Sequence, residues 1–147
     1  RLDSFYGFWS LLCEEVIDER NRTFHIARMK DLCLHEDHFE KDTTLAKRLD
    51  KAINAWFNPN VEPYEVILEI SAEIKRYMLD HPIAPTQKIV QELACGTFYL
   101  SLEITNEKEI LSTIFKWIPH IRVIAPKELQ ESVLLQTKTF LEKQVLL

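Results

Sequence analysis

Glycine is almost missing from this sequence, which holds only Gly7 and Gly96 in 147 residues. Phosphate-cradling loops need several glycines so that backbone amides can approach the anion, so nucleotide-hydrolase motifs are excluded. The Gly-x-Ser-x-Gly elbow of serine hydrolases is excluded with them. No apolar run approaches the roughly 20 residues of a membrane-spanning helix. Cysteine is scarce and odd in number, and Cys13, Cys33 and Cys95 show no paired spacing. That usage suits a reducing cytoplasm better than a disulfide framework. The opening RLDSFYGFWSLLCEE lacks a basic start and a small-residue cleavage site, so no signal peptide is expected. Excess positive charge is lacking too. With 18 basic and 23 acidic side chains the net charge is -5, so any grip on nucleic acid must come from a local basic patch.

What is present is ordinary for a globular chain: 46% hydrophobic and 28% charged residues, enough for one domain or a small domain plus a piece of another. Position 1 is not methionine, and a strand-like segment begins within a few residues of Arg1, as expected of a region that starts mid-domain. Residues from Phe5 to about Val16 are aromatic and β-prone, including Tyr6, Phe8, Trp9, Leu11 and Leu12. A charged turn, Asp18 to Asn21, leads to a second predicted strand from Arg22 to about Leu34. The spacing of Leu45, Leu49, Ala52, Ile53 and Trp56 predicts a helix over 43–57, capped by Thr43 or Thr44. Asn58-Pro59-Asn60-Val61-Glu62-Pro63 then reads as a boundary.

Beyond the boundary the pattern becomes regular. A strand over 66–70 is followed by a helix that Ser71 would cap, a strand over 87–93, and a turn at Cys95 and Gly96. The next strand alternates cleanly, with Phe98, Leu100, Leu102 and Ile104 on one face and Tyr99, Ser101 and Glu103 on the other. Asn106 with Glu109 forms a capping box for the following helix. A strand over 121–124 leads to Pro126, placed for the first position of a last helix bearing Leu129, Val133, Phe140 and Leu141. The order βαββαβ plus a C-terminal helix is the ferredoxin-like arrangement, an α+β fold. Its helices are expected on one face of the sheet.

Three clusters carry residue types with chemistry. Cys33, His35 and His38 have metal-ligand side chains but no second ligand pair downstream, so a solvated acidic turn is expected and no metal. Cys13 lies in an apolar strand and Cys95 in a tight hairpin, neither a place for a preorganised nucleophile, and no enzyme activity is expected. The charges around Lys47, Arg48, Asp50, Lys51, Glu73, Lys75 and Arg76 read as solvated helix faces. The remaining cluster is Arg22-Thr-Phe-His25-Ile-Ala-Arg28-Met-Lys30, following the aromatic strand that contains Trp9. Basic groups interleaved with aromatics on strands can hold phosphates while bases stack, and can equally be a solvated strand face. On a regular strand Arg22 and Arg28 share a face about 20 Å apart, and His25 points to the other.

At these residues the chain resembles the WYL-domain family of bacterial transcriptional regulators. Trp9-Ser10-Leu11 stands at the family's Trp-Tyr-Leu, and Arg22-Thr-Phe-His25-Ile-Ala27-Arg28-Met at its Arg-Thr-Phe-Arg-Leu-Asp-Arg-Ile. The Lys30-Asp31-Leu32 continuation and the segment Val123-Ile-Ala-Pro126-Lys-Glu-Leu129 fit as well. The family tyrosine is Ser10 here, an arginine is His25 and the aspartate is Ala27, leaving Arg22 and Arg28 as the intact charged positions. The resemblance implies an organisation in three parts. Residues 1–42 are the last strands of an Sm-like β-barrel, a partial hairpin; 43–63 a helical linker; and 64–147 the ferredoxin-like C-terminal extension. It implies an effector-sensing and dimerisation region, a pure oligomerisation module being the alternative. Arg22 and Arg28 would clamp phosphates of an oligonucleotide or nucleotide effector, His25 would add a pH-dependent contact, and Trp9 would stack or pack. It also implies a homodimer, for which a domain-swapped arrangement is one form, and operator DNA bound through an N-terminal winged helix-turn-helix that these residues do not contain. No cofactor and no membrane association are implied.

Overall fold

A computed structural model describes residues 1–5 and 7–145. Tyr6, counted above among the strand-forming aromatics, lies outside the described residues, as do Leu146 and Leu147 at the end of the extension. The chain forms two antiparallel sheets, each with its own apolar cluster.

The first sheet contains β1 (Leu2–Phe5), β2 (Phe8–Glu14) and β3 (Asn21–His25) in that order. One strand over 5–16 was expected; the chain reverses instead, with Gly7 at φ +84° between two strands that pair Phe5 with Phe8. Glycine has no Cβ to oppose that left-handed conformation. The strand expected to reach Leu34 stops at His25, which pairs with Ser10. A 3-10 turn, Ile26–Arg28, follows, and residues 29–42 form no helix or strand. Past the Ser10–His25 pair the chain leaves the edge of β2, and a stretch without a partner leaves its amides to water or turns. Arg28 is therefore not on a strand face with Arg22.

The expected helix over 43–57 is shorter. Helix α1 spans Thr43–Leu49, and its cap is Asp42, whose carboxylate accepts from the amides of Thr44 (2.7 Å) and Leu45 (3.0 Å). Leu45, Leu49, Ala52 and Phe57 pack with Phe5 and Leu12 to form the smaller cluster. Trp56, expected on the apolar stripe, is exposed, with the Lys108 ammonium 4.6 Å from its ring centre.

The second sheet is built from β4 (Tyr64–Ile70), β5 (Lys88–Glu92), β6 (Phe98–Ile104) and β7 (Ile121–Ala125), in the order β5-β6-β4-β7. With α2 (Lys75–Asp80) and α3 (Lys108–Lys116) between them, this is the ferredoxin-like topology that the element order predicts. Val66, Leu68 and Ile70 on β4 face the same side as Phe98, Leu100, Leu102 and Ile104 on β6. All are sealed under Met78, Ile110, Ile114 and Leu129 from the helices. Each such side chain contributes roughly 1.5–3 kcal/mol on burial. The other face of this sheet is polar, crossed by Arg122 donating to Glu69 at 2.7 Å and by Tyr99.

Two details differ from expectation. Ser71 makes no cap hydrogen bond to the following 3-10 turn, and its hydroxyl lies 3.0 Å from His120 Nδ1 instead. Helix α4 spans Lys127–Val145, and Pro126 precedes it, its carbonyl accepting from Gln130 N at 3.2 Å. Among the described residues no helix is long and apolar enough to cross a membrane.

Candidate ligand face and the linker hub

Alternation along β2 and β3 sorts the predicted site residues. Arg22 pairs with Cys13 and Phe24 with Leu11, so these four lie on one face together with Trp9. Trp9 (58% exposed) and Phe24 (41% exposed) are open to solvent there. His25 pairs with Ser10 and lies on the opposite face, half-buried, with its ring edge-on to Phe8 at 6.2 Å. The structure thus brings Arg22 and Trp9 to one face, at opposite ends of a strip formed by Leu11 and Phe24. It separates both from His25, and leaves Arg28 exposed in the turn beyond the end of β3.

The two arginines differ electrostatically. Arg22 Nε is bonded to Glu15, and its Nη2 donates to Asp18 at 2.7 Å. The Glu15 hydrogen bond, with the nearby Asp18 charge, holds the guanidinium pKa above its ordinary value. Arg28 makes no ion pair among the described residues, so its charge is the freer of the two.

A groove of about 430 Å³ runs along the free edge of β3. Arg22, Thr23 and Phe24 line one wall, and Trp56, Asn58 and Asn106 the other. Asn60 fixes one end, its Oδ1 accepting from Asn21 N at 3.3 Å and its Nδ2 donating to Asn21 O at 2.9 Å. Trp56 was missed as a candidate because helical spacing assigns it to a core. On the face of His25, the Ser10 hydroxyl is fully buried without a hydrogen-bond partner. Its cross-strand neighbour Asp3 bonds Arg1 Nε through Oδ1 at 3.1 Å, while Oδ2, 3.0 Å from the same nitrogen, has no hydrogen bond of its own.

The two modules meet at a buried carboxylate. Glu109 Oε1 accepts from Thr105 N (2.8 Å), Thr105 Oγ1 (2.7 Å) and Asn106 N (3.1 Å), and Oε2 from Ile53 N (3.4 Å). Asn54 Nδ2 donates to the Glu109 carbonyl at 2.9 Å, and Asn58 N to Thr105 Oγ1 at 2.7 Å. The capping box expected from Asn106 and Glu109 therefore also ties down the linker, which neither local pattern nor spacing announces.

Cys33, His35 and His38 lie in the irregular segment, where His35 Nδ1 accepts from Asp37 N at 3.3 Å. Among the described residues no three His, Cys, Asp or Glu side chains are placed to hold a metal.

Residues 62–141 match the WCX domain. Among solved structures, proteasome accessory factor B/C (PafBC) of Arthrobacter aurescens is similar at 20% sequence identity with a TM-score of 0.36. The match covers 90% of this chain and 20% of that one, so the chain spans about a fifth of that protein's length. No curated protein matches.

Proposed function

The chain belongs to the WCX domain family, the C-terminal region of WYL-type regulators, and on that premise we propose that it is the effector-sensing and dimerising region of a bacterial DNA-binding transcriptional regulator. Residues 1–42 act as the sensing module, 43–63 as the linker and 64–147 as the extension. The regulator works in the cytoplasm as a homodimer, and its operator is read by a winged helix-turn-helix outside these residues. Catalysis is no part of this role.

The effector is a short single-stranded oligonucleotide or a nucleotide. The observation that carries this reading is the exposed face shared by Trp9, Phe24 and Arg22, with Arg28 in the turn past its end. Aromatic faces stack on bases of any sequence, and guanidinium forks bond phosphates bidentately. Arg28 supplies most of the free charge, because a phosphate at Arg22 must compete with Glu15 and Asp18. His25 meets a ligand only around the end of β3.

The alternative, a protein-interaction module without a ligand, draws on that same pairing of Arg22 and on the apolar character of the face, where Leu2 is also exposed. Fluorescence anisotropy with a labelled single-stranded oligonucleotide at two salt concentrations separates the two. Arg28→Ala should weaken binding by about 1–3 kcal/mol, the scale of a charge-assisted hydrogen bond, and Arg22→Ala by less. Arg76→Ala, on α2, should bind like wild type. Binding should weaken steeply with salt. No binding by wild type at low salt, or equal binding by all variants, would leave the interaction module as the function.

A further inference from the structure

Helix α4 is amphipathic in an unusual sense. Leu129 and Val133 pack into the core of the second sheet, yet the opposite side of the helix carries Leu134 and Leu135, both more than 60% exposed. At 100° per residue, Lys127, Glu131, Leu134, Leu135, Lys138 and Glu142 fall within a sector of about 100° centred away from that core. Within it two ion pairs repeat, Lys127–Glu131 at 3.4 Å and Lys138–Glu142 at 3.9 Å.

The order of charges along this sector reads the same when the helix is reversed and signs are exchanged. Lys127 and Glu142 are equidistant from the Leu134–Leu135 peptide, and so are Glu131 and Lys138. A helix with that pattern is complementary to an antiparallel copy of itself. A two-fold axis between Leu134 and Leu135 sets four leucines at the centre. Glu131 then faces Lys138 of the partner subunit, and Lys127 faces Glu142 of the partner subunit, on both sides of the axis. Such isologous contacts are the commonest way for identical chains to associate. The paired stretch is 16 residues, about 24 Å of helix. The leucines supply the apolar contact, and the charges set its register and orientation.

We propose that α4 is the surface through which two copies of this chain associate, antiparallel about the Leu134–Leu135 peptide. This rests on the reading of the chain as a dimerising region and names the contact.

Sedimentation velocity on the whole chain over a micromolar range tests it, with circular dichroism melting to show that each variant remains folded. Glu131→Lys and Lys138→Glu each place like charges at both symmetric contacts, and each should raise the dimer dissociation constant by on the order of tenfold or more. Mixed in equal amounts, the two variants should recover wild-type association, because the mixed dimer has opposite charges at both contacts. Leu134→Ser should weaken association without change of register. A wild-type dimer indifferent to all three substitutions would put the interface elsewhere, overturning this proposal while leaving the dimer intact. Weakened variants that fail to rescue each other would overturn the antiparallel register. A monomer at every concentration would overturn the dimer and the interface together.

Discussion

Removing the Glu109 carboxylate should loosen both modules at once. Four donors converge on it, three at Oε1 and one at Oε2, and the side chain is 1% exposed. In Glu109→Ala the buried Thr105 amide and hydroxyl lose their acceptor, and the amides of Asn106 and Ile53 lose theirs. Hydrogen bonds to a charged group contribute about 1.5–3 kcal/mol each, but four bonds sharing one carboxylate are far from additive. Relief of the desolvation cost of the buried charge offsets part of the loss. A net destabilisation of about 3–4 kcal/mol follows, a large share of the roughly 5–15 kcal/mol typical of a folded domain. Glu109→Gln keeps an acceptor for the Oε1 cluster but turns a donor toward Ile53 N, and should cost about 1–2 kcal/mol. Urea unfolding followed by far-ultraviolet circular dichroism and tryptophan fluorescence measures both. Because Ile53, whose amide loses its acceptor, belongs to the linker, Glu109→Ala should also split a single transition into two. An alanine variant within about 1 kcal/mol of wild type, unfolding in one step, would refute the hub as a structural coupling.

Two further perturbations test separate features. The Thr97 hydroxyl hydrogen-bonds Cys95 and lowers its thiol pKa, whereas burial raises that of Cys13, so in a Cys33→Ser background Cys95 should react before Cys13 with Ellman's reagent at neutral pH. Equal rates for the two thiols would count against both environments. Gly96 sits at φ +85°, and an added Cβ would meet Ala72 Cβ at 3.1 Å, so Gly96→Ala should cost about 1–2 kcal/mol in chemical denaturation. An unchanged midpoint would mean that the hairpin after β5 relaxes freely.

The ferredoxin-like half of the chain was legible because its information is local. The alternation of Phe98, Leu100, Leu102 and Ile104 specifies a strand with one dry face, and all four are buried as that pattern requires. Asn106 and Glu109 specify a helix start by side chains three residues apart. Six such elements in sequence leave few ways to seal one apolar face, and the order β5-β6-β4-β7 is one of them.

The N-terminal module was less legible because pairing partners, rather than propensity, decide where its strands end. Residues 5–16 are β-prone throughout, yet Gly7 divides them into two strands whose backbone groups satisfy each other. The stretch after His25 keeps β-forming residues but leaves the edge of β2 at the Ser10 pair and turns through Ile26–Arg28. The helix expected to reach Phe57 ends at Leu49, and a few residues later Asn54 and the Ile53 amide are bonded to Glu109, 55 and 56 positions away. By itself, then, the sequence determined the strand and helix types of the C-terminal half, their order and the faces they bury. Only the tertiary structure decided which face Arg22 and His25 occupy, that Arg22 is already paired, and that a capping carboxylate also holds the linker. Those outcomes depend on contacts between distant residues, which no local period encodes.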